Sequence, residues 1–289
     1  MMKNPFHIST VAIVGVGLIG GSFALALKEA GVVNRILGFD LDPENLAHAL
    51  QLGIIDQACR GPEELVAADV IFLATPVLSM AAALSTIAPY LKEGAILTDG
   101  GSVKSAVIAT LSPLLPPGVR YVPGHPISGT ERSGAAAAFA ALFRNKRCIL
   151  TPTEETDPQA LAIVTALWQA SGSEVMIMEA EKHDRILAAI SHLPHMVAYA
   201  LVNAVGAYDR YEENILLYSA GGFRDFTRIA SSDPTMWRDI ALTNRDALLE
   251  MIERFENDLA QLKELISNSD AAALHDYFLR SKLNRDAIL

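Results

Sequence analysis

The run Val11-Ala12-Ile13-Val14 leads without a break into Gly15-Val16-Gly17-Leu18-Ile19-Gly20-Gly21, and a second short apolar run, Arg35-Ile36-Leu37-Gly38-Phe39, ends in Asp40. A β-branched strand that passes through G-x-G-x-x-G into a helix, with an acid twenty residues beyond the last glycine, is the fingerprint of a dinucleotide-binding βαβ unit. Gly15 permits the tight turn, Gly17 lets backbone approach a pyrophosphate, and Gly20 allows helix and strand to pack closely. Free N–H groups at the helix start, around Leu18 and Ile19, hold the phosphates. Asp40 then accepts hydrogen bonds from an adenosine ribose. It favours NAD over NADP, because a 2′-phosphate would meet a like charge and no arginine follows before Arg60. A secretory signal, with Lys3 ahead of the apolar stretch and small residues around Ala24 and Ala26, is the competing reading. The glycines and the acid-tipped strand argue against it.

At 289 residues the chain exceeds a usual single domain, so two domains are expected. A mean hydropathy of +0.27 raises the question of a membrane protein. The most apolar stretches are interrupted, however: Leu187 to Ala207 carries His192, Pro194, His195 and Asn203, which suits a buried helix better than lipid. Cys59 and Cys148 are the two cysteines and form no Cys-x-x-Cys pair, so neither a disulfide framework nor a thiolate metal site is expected, and a reducing, cytoplasmic setting follows. The net charge of −10 repels polyanions, and no basic stripe with interleaved aromatics offsets it, so nucleic acid is not an expected partner.

Strand and helix patterns alternate through the first part of the chain. After the fingerprint come a short helix opened by Asp42-Pro43, a buried strand at Val70 to Thr75, a helix from Leu78 to about Leu91, a strand at Ala95 to Asp99, and Gly100-Gly101-Ser102-Val103-Lys104 leading into another helix. Further strands are expected at Arg120 to Pro123, Cys148 to Thr151 and Glu174 to Met178. The whole predicts an α/β fold, an amino-terminal doubly wound Rossmann-like domain over residues 1–178. From residue 179 to 289 the periodicity is helical, in Ala180 to Ala207, Trp237 to Ser267 and Ala271 to Leu289, with Pro194 expected to kink the first. The second domain is expected to be all helical, with a ligand cleft between the two.

In α/β enzymes ligands sit at the carboxyl ends of the strands. Three such ends carry distinctive polar loops: Thr75-Pro76, the segment around Ser102, and Gly124-His125-Pro126-Ile127-Ser128-Gly129-Thr130-Glu131. An imidazole held beside a nicotinamide takes a hydroxyl proton as hydride leaves the same carbon, which singles out His125; a histidine satisfied by loop carbonyls is the alternative. Ser191-His192-Leu193-Pro194-His195 places two histidines at i and i+3. They can contact an anionic substrate or pack; no acid lies at ligand spacing, so no metal is expected. Gly221 to Arg228 is a basic, glycine-led segment in an acidic chain, where an arginine fork can grip a carboxylate unless Asp225 and Asp233 neutralise it. Trp237 and Phe226 are assigned to the core.

Five ordered motifs resemble the prephenate and arogenate dehydrogenase family of tyrosine biosynthesis. They are G-V-G-L-I-G-G-S from Gly15, G-S-V-K from Gly101 to Lys104, G-H-P-I-S-G-T-E-R-S-G from Gly124 to Gly134, S-H-L-P-H from Ser191 to His195, and G-G-F-R-D-F-T-R-I-A-S-S-D-P-T-M-W-R-D from Gly221 to Asp239. The resemblance implies NAD-dependent oxidative decarboxylation of a cyclohexadienol. His125 would act on the ring hydroxyl, Ser102 would bond near that hydroxyl and the nicotinamide, and Arg228 would bind the ring carboxylate. His192, His195, Thr130 and Glu131 would line or support the pocket. A homodimer through the helical domain is also implied. No mutase region before the glycine-rich loop and no sizeable regulatory domain after Leu289 are expected. A different two-domain hydroxy acid dehydrogenase would typically use a lysine base on a helix, and no lysine of the helical half has comparable motif context. A non-catalytic NAD-responsive regulator would leave His125, Ser102 and Arg228 without a purpose.

Overall fold

A computed structural model describes residues 6–209 and 214–288; Lys3 and Leu289 lie outside them. Strand β1 (Ile8–Val14) runs into helix α1 (Leu18–Ala30), then β2 (Val33–Phe39), α2 (Pro43–Gln51) and a two-residue β3 (Gln57–Ala58). Next come β4 (Val70–Leu73), α3 (Met80–Ile87), β5 (Ile96–Asp99), α4 (Lys104–Leu111) and β6 (Arg120–Val122). These six strands form one sheet in the order β3-β2-β1-β4-β5-β6, every pair parallel. Between β1 and β4 the winding reverses, and at such a switch point the diverging loops leave a crevice at the carboxyl ends.

The two faces of this sheet are covered by separate cores. On one, Phe23, Phe72, Phe143 and Trp168 interlock, with Phe23 and Trp168 ring centroids 4.3 Å apart; on the other, Ile71, Leu73, Met80, Leu84, Leu97 and Leu111 pack. A strand buried on both faces must be apolar throughout, which is why Val70 to Leu73 reads as an unbroken apolar run rather than an alternation.

The structure refines the later strands. Only Arg120–Val122 joins the large sheet. Strand β7 (Gly124–Pro126) pairs antiparallel with β8 (Arg147–Leu150), and β9 (Glu174–Ile177), which follows helix α5 (Pro158–Ala170), pairs parallel with β8 in a second, three-stranded sheet. Pro123 has no N–H to continue the β6 ladder, so the chain turns there; its carbonyl instead accepts from Thr151 N at 3.0 Å. His125 therefore lies in a short strand rather than in a loop.

The remaining elements are α6 (Ala180–Leu187), a π-turn over Ala188–His192, α7 (Leu193–Tyr208), α8 (Gly221–Thr227), α9 (Pro234–Thr243), α10 (Arg245–Ser267) and α11 (Ala271–Asp286). The π-turn ends two residues before Pro194; the wider turn accommodates a residue that cannot donate to the helical ladder. By length and hydropathy the helix through Ala180–Tyr208 could cross a bilayer. It is not the buried helix expected from sequence: in α7 only Ala198 is fully buried. The helix expected from Trp237 to Ser267 is broken at Asn244, whose φ/ψ of −108°/33° leave the helical region. Phe226, assigned to the core, is 46% exposed, because α8 is a short helix whose buried side is supplied by Thr227.

Two carboxylates of the helical half cap segments of the sheet half. Asp184 accepts from Lys104 N and Ser105 N, at 2.7 and 2.8 Å, at the start of α4; Asp239 accepts from Leu78 N at 3.1 Å just ahead of α3. Val103, Trp237 and Ile240 form a small apolar cluster beside these contacts.

Gly15 has φ +90°, and a Cβ at Gly20 would collide with the Gly15 carbonyl oxygen and lie 2.7 Å from Ile13 Cγ2. Gly17, by contrast, has nothing within 4 Å of where a Cβ would stand. Gly20→Ala is therefore expected to lose about 1–3 kcal/mol from overpacking, while Gly17→Ala keeps its thermal midpoint. Melting curves of the two variants test this, and equal midpoints would refute the packing role of Gly20.

Candidate active site

The carboxyl ends of β1, β4, β5 and β6 converge on one crevice. At the β1 end, α1 begins at Gly17 with no capping side chain and no acid in its first turn, so the N–H groups around Leu18 and Ile19 are available to an anion. The space over Gly17 is open, with no atom within 4 Å of where a Cβ would stand. Asp40, just beyond β2, accepts from Val16 N at 2.8 Å and from Asp42 N at 2.9 Å, which fixes its carboxylate against the glycine-rich turn. Asn45 ties the same turn to the sheet half's distal loop, donating to Val16 O and accepting from Ala135 N. Beyond β4, the Thr75 hydroxyl is buried without a protein partner among the described residues, and Pro76 follows it. These residues suit a dinucleotide.

The loop carrying Ser102 is held at both ends. Asp99 accepts from Gly101 N at 2.8 Å, and Asp184 accepts from Lys104 N. Beneath it lies a buried ionic cluster: Lys104 Nζ donates to Asp99 Oδ1 and to the Gly124 carbonyl at 2.6 Å, and the Tyr121 hydroxyl donates to Asp99 Oδ2 at 2.7 Å. Burial and the adjacent Asp99 push the Tyr121 hydroxyl well up, so it stays a donor. Because Gly124 precedes His125, the Lys104 ammonium anchors the strand that presents the imidazole.

His125 is 9% exposed and its Nδ1 lies 2.8 Å from His183 Nε2; His183 Nδ1 in turn lies 2.8 Å from Asp184 Oδ1. Burial, followed by His183, Lys104 and His192, pushes the His125 imidazole well below the ordinary histidine range, so it is neutral near pH 7. Burial also lowers His183, against an opposing pull from Asp184. Burial raises the Asp184 carboxyl, but His183 and the Lys104 and Ser105 N–H groups more than offset this, and the net shift is downward. Cys148, on β8 next to this group, is pushed well up by burial and remains a thiol.

The histidines of the π-turn region serve different neighbours. His192 is buried and meets Asn244 Nδ2 at 3.1 Å, while His195 donates from Nδ1 to the Ser191 carbonyl at 2.9 Å and stacks on Trp237, centroids 3.7 Å apart at 24°. Trp237 is buried, as the sequence suggests, yet its ring forms a wall for His195. Arg228 reaches across to Glu131, Nη1 to Oε2 at 3.2 Å, and the Arg228 charge adds to burial in lowering His195. Thr130 is exposed next to Glu131 and accepts from Arg132 N at 3.2 Å. Among the described residues no cluster of three His, Cys, Asp or Glu side chains is assembled for a metal.

The structure thus brings His125, Ser102 and the glycine-rich turn to the carboxyl end of the sheets, with Arg228 of the helical half held to Glu131 and His195 stacked on Trp237. Sequence reasoning missed His183, Asp184, Asp99 and Tyr121. The adjacency of His183 and Asp184 at the start of a helix was the only available signal, and it matches no spacing template.

Because three buried histidines are held neutral, the unfolded chain binds protons first as pH falls. For His192, lowered to about 4 by burial and then by His183, stability is complete above the ordinary value of 6.5 and is lost through the window from 6.5 down to about 4. The thermal midpoint is expected to fall across that window and to fall less steeply in His192→Gln; parallel pH series by calorimetry check this, and identical slopes would contradict it.

Comparison with known proteins finds relatives over nearly the whole length of the chain. A family model described as the nucleotide-binding domain of prephenate dehydrogenase matches residues 23–177, and one described as the prephenate dehydrogenase dimerization domain matches 179–280. The chain is 40% identical over 282 residues to a cyclohexadienyl dehydrogenase of Zymomonas mobilis, covering 96% of this chain and 95% of that one. Its structure superposes on that of a prephenate dehydrogenase from Aquifex aeolicus, solved with hydroxyphenyl propionate and NAD+, with a TM-score of 0.92 and 39% identity over 99% of this chain and all of the other. An arogenate dehydrogenase from Synechocystis superposes with a TM-score of 0.79 at 32% identity, over 97% of this chain and all of that one.

Proposed function

The chain belongs to the prephenate dehydrogenase family, and on that premise we propose that it carries out the NAD-dependent oxidative decarboxylation of prephenate to 4-hydroxyphenylpyruvate in tyrosine biosynthesis. Residues 1–178 bind the cofactor, through Gly15, Gly17, Leu18, Ile19, Gly20, Asp40, Thr75, Pro76 and Ser102. Residues 179–289 supply Arg228, His195 and His192 to the substrate pocket. The observation that carries the reading is a neutral, buried His125 at the strand end beside the Ser102 loop, facing a half that carries Arg228 and His195.

NAD held by the glycine-rich turn, Asp40 and the Thr75 and Ser102 loops would supply the hydride acceptor for C4 of the ring. His125 accepts the C4 hydroxyl proton, and Ser102 hydrogen-bonds near that hydroxyl. The ketone so formed is conjugated to the carbon bearing the carboxylate, and as that C–C bond breaks its electrons flow into the ketone, releasing CO2 and leaving an aromatic ring. Arg228 orients the carboxylate, exchanging its contact with Glu131 for one with substrate, and His195, braced on Trp237, lines the pocket with His192 and Thr130 behind it. The protein's contribution is orientation and removal of one proton. Arogenate, which differs only at the side-chain amino group, is a second substrate on this reading.

We further propose a homodimer through the helical half. Phe255, Leu259, Ile266, Phe278 and Leu283 are all more than a third exposed on α10 and α11, an apolar surface that a second copy would cover. The two cysteines are free and buried, which suits a cytoplasmic enzyme.

His125→Asn is expected to keep NAD binding and lower kcat by roughly 10²- to 10⁴-fold. In the wild type kcat/KM falls at low pH as His125 gains a proton, and because its pKa is depressed the fall is centred below the ordinary value of 6.5. A variant with near-normal kcat would remove His125 from the chemistry. Arg228→Ala is expected to lose about ten- to hundredfold in kcat/KM, mostly in KM, because the carboxylate is charged before the reaction begins. Steady-state kinetics with prephenate check this, and an unchanged KM would place Arg228 outside the substrate site.

A further inference from the structure

We propose that His183 and Asp184 are positioning residues that fix the tautomer of His125, leaving its Nε2 as the proton acceptor; this rests on the reading of His125 as the base. Asp184 sets the direction of the relay. Its carboxylate can only accept, and Oδ1 faces His183 Nδ1 at 2.8 Å, so that nitrogen carries the hydrogen. His183 is neutral, and its Nε2 is therefore a bare acceptor. It faces His125 Nδ1 at 2.8 Å, which must then be the donor. A neutral His125 with hydrogen on Nδ1 has its lone pair on Nε2, a nitrogen with no protein hydrogen bond among the described residues. Each assignment forces the next, and one carboxylate determines the protonation of a ring two residues along the chain of contacts.

Asp184 is itself constrained. Lys104 N and Ser105 N donate to its two oxygens, which holds the carboxylate ionised and prevents it from turning away from His183. The other charged and titratable groups around His125 are Lys104 and Asp99 from beneath, Tyr121 on Asp99, Cys148 on the neighbouring strand and His192 from the π-turn, and none donates to or accepts from the His125 ring. Among the described residues His183 is therefore the group that decides which nitrogen of His125 is free. In the reaction the substrate O–H bond breaks, its proton goes to His125 Nε2, and hydride leaves C4 for the nicotinamide, so a carbonyl forms. The Nδ1 hydrogen stays between the two rings, and the new positive charge on His125 is stabilised through His183 by the Asp184 anion.

The assignment can be read directly. In protein labelled with ¹⁵N-histidine, long-range ¹H–¹⁵N correlation spectra report which ring nitrogen is protonated; His125 is expected to carry hydrogen on Nδ1 near pH 7. Kinetics form the second arm. His183→Leu removes the acceptor and is expected to lower kcat by about 10²- to 10⁴-fold with KM values within a fewfold of wild type. His183→Gln can accept from His125 with its carbonyl and donate to Asp184 with its amide, and it is expected to recover at least tenfold of that loss. An Nε2-protonated His125 in the wild type, near-normal kcat in His183→Leu, or equal losses in the two variants would overturn the proposal. Full activity in His125→Asn would instead sink the base reading and leave the tautomer assignment standing.

Discussion

The carboxylate of Asp184 is the contact on which the site depends. It comes from the first helix of the helical half, and it caps α4 of the sheet half by accepting from Lys104 N and Ser105 N. The same group accepts from His183, which touches His125. One side chain therefore docks two halves, closes the Ser102 loop and orients the imidazole. A 5% exposed carboxylate would be costly to bury alone; three donors offset that cost, and they come from both sides of the cleft. If the halves separated, the carboxylate would lose its Lys104 and Ser105 donors, so docking of the halves and ionisation of Asp184 reinforce one another.

A second buried ionic group, Lys104 with Asp99 and Tyr121, does different work. Its ammonium holds the Gly124 carbonyl, and hence β7, in place, and its positive charge helps keep His125 unprotonated. A buried ion pair is not in itself a source of stability, since desolvation can cancel the attraction. Here it sits directly beneath the residue that must be both neutral and immobile. Across the cleft the balance is reversed: Arg228 is 62% exposed and lightly held by Glu131, so an anionic ligand can displace Glu131 at little cost. The site is rigid where the proton moves and exchangeable where the carboxylate binds.

Local signals in the sequence account for what could be read from it. The glycine-rich turn, Asp40, the Val70–Leu73 strand and the helix opened by Asp42 are each dictated by residues within a few positions of one another. The structure follows them: Asp42 caps α2 by accepting from Glu44 N and Asn45 N. His125 was legible because its loop motif is contiguous. The relay behind it was not, because His183 lies 58 residues away and meets His125 only when the two halves dock. Strand β7 was missed because Gly-His-Pro has little strand propensity and forms one only by pairing with β8. The break at Asn244 was invisible to periodicity, since Asn244 leaves the helix to donate to the Asp184 carbonyl at 2.9 Å, a tertiary contact. Phe226 shows the converse error: an aromatic assigned to the core lies on a seven-residue helix that leaves it exposed.

Oxidation and decarboxylation of a cyclohexadienol at the expense of NAD is the activity proposed for this cleft. The most direct measurement is a stoichiometric assay of the purified protein with prephenate and, in parallel, arogenate, following NADH by absorbance and collecting CO2 and the aromatic product. Equal amounts of NADH, CO2 and 4-hydroxyphenylpyruvate are expected from prephenate, with NAD far more effective than NADP. No NADH from prephenate, or NADH formed without release of CO2, would contradict it.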